Sequence, residues 1–195
     1  MPILGSKTVR GRAQRYERLY IPLSIVIGSW EFLRATGAKG HEELCFLAGR
    51  VVEDGARPSA QVTSCVLPLT ASTRGFVTLT SHEQTALLLD ELERRHEQPL
   101  MSLHTHSNGG WGGYGPQHSV IDDHGVALTP EDGVFSGVVP YYAQGSPFQF
   151  VGQTSVYERL NGEWVRLSRE CKEKRIVVHD DTVRIVPVLS ASEDA

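Results

Sequence analysis

Cysteine is scarce in this chain of 195 residues, and the three that occur, Cys45, Cys65 and Cys171, stand far apart. They form no Cys-x-x-Cys pair, which argues against a thiolate zinc site, and their odd number argues against a disulfide scaffold. A reducing cytoplasm is the natural compartment for such a chain. Long hydrophobic runs are also lacking. The most apolar stretch near the start, residues 21–30, is interrupted by Pro22, Ser24 and Gly28 and falls well short of a bilayer span. It has no charged leader followed by a small-residue cleavage site, so it does not read as a signal peptide. There is no basic cluster, and a net charge of −4 gives no electrostatic footprint for nucleic acid. Neither nucleic acid nor membrane is expected as a partner. Internal repeats are absent as well. What is there is the composition of an ordinary globular protein, long enough to enclose a core of its own.

Periodicity predicts an α/β fold: a single domain over 1–195 with a curved mixed β-sheet flanked by helices. Residues 1–14 and 190–195 read as loose ends, and the core as roughly 20–165. Val26, Ile27, Trp30 and Leu33 recur with a helical period over residues 23–36, and Gly37 and Gly40 end that helix. Residues 42–52 are mostly apolar, as in a buried strand. Residues 61–68 and 76–80 are further β-like runs. Ser81 with Gln84 has the spacing of a helix N-cap. The helix after it, to about His96, carries Leu88, Leu89 and Leu92 on one face. A strand over 100–106 follows, then a loop over 107–117 that holds five glycines. Strands are expected over 135–142 and 148–158. Asn161-Gly162 signals a hairpin turn. A last hairpin is expected to pair residues 176–178 with 183–188 around Asp180-Asp181.

The chemistry is concentrated in Leu103-His104-Thr105-His106. Side chains alternate along a strand, so His104 and His106 point the same way, and two imidazoles on one face can share a metal ion. Zinc suits nitrogen ligands, and a catalytic zinc keeps three protein ligands and an open position. Two downstream pairs offer the third ligand: Ser119 with Asp122, and Thr129 with Asp132. Each pair also fits a helix cap with acids in the first turn. At the head of the first long strand stand Glu42 and Glu43. Such acids are often just a solvated strand end. The functional alternative is a general base that takes a proton from a metal-bound water.

The arrangement Glu…His-x-His…Ser-x-x-Asp resembles the JAB/MPN metalloproteases, whose signature is the JAMM motif. Glu42 stands before Leu47 and Gly49 in a pattern similar to the family's Glu-x-x-Gly-x-Leu-x-Gly strand, with Cys45 in place of the first glycine. Residues 133–140 resemble the strand that follows the motif in bacterial members with a His-Ser-x-x-Asp-Asp run. The resemblance covers roughly residues 20–165 and implies an MPN/JAB-like, cytidine-deaminase-like architecture. It implies zinc held by His104, His106 and Asp122, Glu42 as the base, and Ser119 as a donor to the oxyanion. Between the second His and the Ser the family spacing is shorter than here. Twelve residues intervene if Ser119 is used and twenty-two if Thr129 is, which favours Asp122 over Asp132. Trp111 and Tyr114, aromatics in the glycine-rich loop, are candidate substrate contacts.

The implied activity is that of a zinc-dependent isopeptidase or peptidase, cleaving after the C-terminal tail of a ubiquitin-like protein by a Glu-activated, zinc-bound water. Such a tail enters beside a sheet edge, a form of strand addition. The implied partners are the ubiquitin-like protein or its conjugates, with the activating and conjugating enzymes of the same pathway. The alternatives are an inactive MPN scaffold, from which the full set of motif residues argues away, and a metal-dependent hydrolase of small amides. A cupin or iron oxygenase also uses His-x-His, but residues 107–117 lack the acid that a cupin wants.

Overall fold

The computed structural model describes residues 16–53, 57–79, 81–108, 118 and 132–181. In chain order the strands are β1 (Leu19–Pro22), β2 (Leu44–Glu53), β3 (Pro58–Val66), β4 (Thr70–Ser72), β5 (Val77–Leu79), β6 (Gln98–Thr105), β7 (Phe135–Val139), β8 (Ser155–Leu160), β9 (Glu163–Arg166) and β10 (Ile176–His179). The helices are α1 (Leu23–Gly37), α2 (His82–Arg94), a short α3 (Phe150–Gln153) and α4 (Arg169–Arg175). Among the described residues eight strands form one mixed sheet in the order β10-β1-β3-β2-β6-β7-β8-β9, and β4 and β5 form a separate antiparallel pair. The fold is therefore α/β, as expected. No helix among the described residues is long and apolar enough to cross a membrane.

The central strands are apolar on both sides because both faces are covered. One face, with Cys45, Leu47, Met101, Leu103 and Phe135, packs on Val26, Trp30 and Leu33 of α1 in the main core. The opposite face carries Leu44 and Phe46 against Val77, with Leu79 and Leu88 beside them. A period of two along β2 thus alternates between two packed layers, which is why its sequence shows little polar alternation. Register shifts near Ala48 interrupt the pairing of β2 with both neighbours, and such bulges bend a strand.

The helix over residues 23–36, the Ser81 cap and the Asn161-Gly162 turn appear where periodicity placed them. Ser81 Oγ accepts a hydrogen bond from Gln84 N at 3.2 Å. Asn161 and Gly162 take left-handed φ values of 53° and 81° between β8 and β9. Other elements differ from expectation. The strand expected to run to Tyr142 stops at Val139, because Pro140 has no N–H to continue the ladder. The expected strand over 148–158 begins only at Ser155. Pro147 starts a short helical turn there, for which its fixed φ is suited, and α3 continues it. Packing also continues past residue 165: Leu167 and Ile176 are in the main core, and Arg175 makes a buried two-pronged pair with Glu158 at 2.6 and 2.8 Å. β10 pairs in parallel with β1. Its expected hairpin partner over 183–188, and the loose ends 1–14 and 190–195, lie outside the described residues.

Candidate metal centre

His104 is in β6 and His106 follows directly after its end. Their ring centroids are 5.0 Å apart, so the two imidazoles stand side by side as strand alternation requires. His104 is fully buried and His106 half-buried, which leaves the outer ring closer to solvent. Backbone bonds fix the outer residue: His106 N donates to Val139 O at 2.9 Å, and Tyr142 N donates to His106 O at 3.0 Å.

Glu42 comes to this pair through strand pairing. Leu44 is opposite His104 in the antiparallel β2–β6 register, and Thr105 N donates to Glu43 O at 3.0 Å one step further. Continuing the register puts Glu42 opposite His106, on the face that carries Leu44 and His104. Glu42 is buried, with 5% exposure, and its N–H donates to Thr73 O at 2.7 Å. It is not the solvated strand end that such acids usually make. Glu43 is buried too, for a different reason. Its carboxylate accepts hydrogen bonds from Thr36 Oγ1 at 3.0 Å, Leu44 N at 3.0 Å and Thr70 Oγ1 at 2.7 Å, tying the head of β2 to α1 and β4.

The turn after β7 is joined to the site by the bond from Tyr142 N to His106 O. Tyr141, Tyr142 and Ala143 all take left-handed φ values, 51°, 52° and 59°, which cost about 1–2 kcal/mol per non-glycine residue. Arg34 holds the turn by donating to Ala143 O at 2.9 Å and Gly145 O at 2.6 Å, and Trp30 Nε1 donates to Gly145 O at 3.1 Å. Gly37 lets the turn approach α1 closely, since a Cβ there would lie 2.4 Å from Tyr142 Cβ.

Of the other expected site residues, Ser119, Asp122, Trp111 and Tyr114 lie outside the described residues. The rival ligand Asp132 is described. Its two carboxylate oxygens accept from Asn161 N at 2.8 Å and Gly162 N at 2.9 Å, so it clasps the β8–β9 turn. Among the described residues no group of three or more His, Cys, Asp or Glu side chains is arranged to hold a metal ion. The donor set that is described, two adjacent imidazoles with one of them half-buried, fits zinc chemistry and leaves a third ligand to come from elsewhere.

The sequence leaves His118 open between a partner of the metal ligands and an ordinary solvated histidine near acids. The His118 ring lies 5.6 Å from that of His104, stacks on Tyr157 at 4.1 Å, and has Nε2 2.8 Å from Ser136 Oγ. Its neighbours come from β7 and β8, and only the strand order reveals that they share a face with His104. The signal in the sequence is its place directly before Ser119 and close to Asp122 and Asp123.

No protein-family model matches the chain, and no curated protein matches it. Among solved structures it is similar to the solution structure of protein DSY2949 from Desulfitobacterium hafniense, a structural genomics target. The two share 13% sequence identity with a TM-score of 0.55, over 84% of this chain and 94% of that one. A likeness at this identity concerns the fold alone.

Proposed function

We propose that this chain is a zinc-dependent isopeptidase or peptidase that cleaves after the C-terminal tail of a ubiquitin-like protein, an MPN/JAB-like enzyme acting in the cytoplasm. The observation that carries the reading is the pair His104 and His106, side by side at the end of β6, with the buried Glu42 at the head of the adjacent strand. That constellation supports the JAMM resemblance through pairing between strands far apart in sequence. The occupation of Asp132 at the β8–β9 turn also favours Asp122 as the third ligand.

In this reading His104, His106 and Asp122 hold the ion, and zinc when bound polarises the scissile carbonyl as a Lewis acid. Glu42 accepts a proton from the attacking water on its carboxylate and passes it to the departing amine. Ser119 donates a hydrogen bond to the oxyanion of the tetrahedral intermediate, an interaction that strengthens as charge develops. Trp111 and Tyr114 contact the substrate tail. The partners are the ubiquitin-like protein or its conjugates, and the activating and conjugating enzymes of that pathway.

The test is cleavage of a panel of ubiquitin-like proteins, each fused to a reporter, by the unaltered chain and by Glu42→Gln. The amide keeps the shape of the carboxylate but takes no proton, so Glu42→Gln should lose about 10²–10⁴-fold in rate with zinc still bound. Cleavage that survives in Glu42→Gln overturns the role of Glu42. A zinc-loaded chain that cleaves no member of the panel and no simple peptide overturns the peptidase reading.

A further inference from the structure

We infer that His118 is a positioning residue for the zinc centre, pinned to β7 and β8 so that its ring walls His104. The inference rests on the zinc reading above and adds to it a residue that is not itself a ligand.

His118 is held from several sides. Its backbone N–H donates to the Tyr157 hydroxyl at 3.1 Å, and its ring stacks on the ring of the same Tyr157 with an interplanar angle of 25°. Trp164 from β9 meets the ring at 5.2 Å in an edge-on arrangement, and Nε2 is 2.8 Å from the fully buried Ser136 Oγ. Ser136 pairs with Tyr157 across β7 and β8, and with Ser102 across β7 and β6, two residues before His104. The contacts therefore form one strip on the face that bears the metal-binding pair. Nε2 is engaged by Ser136, and among the described residues no three His, Cys, Asp or Glu side chains are arranged to hold an ion, so the ring is a neighbour of His104 and is not counted as a ligand. It instead limits the space into which the His104 imidazole can rotate.

Groups that orient metal ligands without binding the ion typically contribute about 10–100-fold to affinity. Zinc dissociation constants should be measured by competition with a chromophoric chelator for the unaltered chain, His118→Ala, Ser136→Ala and the double variant. His118→Ala should weaken zinc about 10–100-fold. Ser136→Ala acts only through His118, so it should weaken zinc less. The double variant should be no weaker than His118→Ala alone, which is the coupling expected of two groups acting as a unit. His118→Gln, which keeps a hydrogen-bonding group for Ser136, should recover part of the loss, whereas a ligand replaced by Gln would not. Tyr157→Phe removes only the hydroxyl that takes the His118 N–H and tests the same pin if His118→Ala does not fold. Zinc binding unchanged in both His118→Ala and Ser136→Ala overturns the inference. Multiplicative losses in the double variant overturn it as well. If the unaltered chain takes up no zinc, the functional reading fails and this inference falls with it.

Discussion

Two glycines of one helix should respond in opposite ways to the same substitution. Gly28 is exposed in α1, and a Cβ added there meets nothing within 4 Å. Alanine should stabilise at this position by about 0.5–1 kcal/mol, the helical cost of glycine. Gly37 is buried at the end of the same helix, and a Cβ there would lie 2.4 Å from Tyr142 Cβ and 2.6 Å from Tyr142 O. An ordinary carbon contact is about 3.5 Å, so the left-handed turn would have to retreat by about 1 Å. Overpacking of this kind costs about 1–3 kcal/mol. Offsetting part of that with helical propensity leaves a net loss of about 1–2 kcal/mol. For a chain of this size, melting should rise by about 1–4 °C in Gly28→Ala and fall by about 2–8 °C in Gly37→Ala. Thermal unfolding of the metal-free protein reads both. Tyr142 N donates to His106 O, so the retreat also reaches the candidate metal centre, and Gly37→Ala should bind zinc more weakly than Gly28→Ala. If Gly37→Ala melts at or above the unaltered protein, the close approach of the turn to α1 is wrong, and so is the reason given for its conformation.

Three further outcomes follow from the same structure. Glu43→Ala should destabilise the fold, at about 1–3 kcal/mol for each buried donor left unpaired, whereas Glu43→Gln should fold and keep zinc; denaturant titration of both variants checks this. Asp132→Ala should retain its zinc while loosening the β8–β9 turn by about 1 kcal/mol, measured by metal analysis and melting; loss of zinc would return Asp132 to the ligand set. Cys65 should be alkylated first. A hydrogen bond with Cys65, together with burial, holds the Cys45 thiol well above the ordinary range, while the same bond lowers the Cys65 thiol, which is also partly exposed. Cys65 should thus carry more thiolate than an ordinary thiol near neutral pH, and mass mapping after brief treatment with iodoacetamide should find it labelled and Cys45 spared.

Much of the α/β framework could be read from periodicity, because the strongest patterns belong to elements with one clear apolar face or an explicit cap. The run Val26, Ile27, Trp30, Leu33 became the buried face of α1 apart from the half-buried Ile27, and Ser81 and Asn161-Gly162 gave local signals that tertiary contacts did not override. The departures from the expected elements have physical causes. Pro140 ends β7 although Tyr141 and Tyr142 after it are residue types that suit a strand; their left-handed turn depends on Arg34 and Gly37, more than a hundred residues earlier. Phe148 and Val151 suggested a strand, but Pro147 starts a helical turn and Phe150 packs edge-on against Trp30. At the site, the His-x-His spacing was legible because alternation is local. The burial of Glu42 and Glu43, the use of Asp132 at a turn, and the seat of His118 on Ser136 and Tyr157 all depend on which strands are neighbours, and no short stretch of sequence carries that information.

The central claim is that His104 and His106 belong to a zinc site, and metal content tests it most directly. Protein purified without added metal, then supplied with zinc and freed of excess, should be analysed alongside His104→Ala and His106→Ala. About one zinc per chain is expected in the unaltered protein, with loss of that zinc in both variants and the fold retained by circular dichroism. An unaltered chain that stays metal-free when zinc is supplied, or variants that hold zinc as well as the unaltered chain, would contradict it.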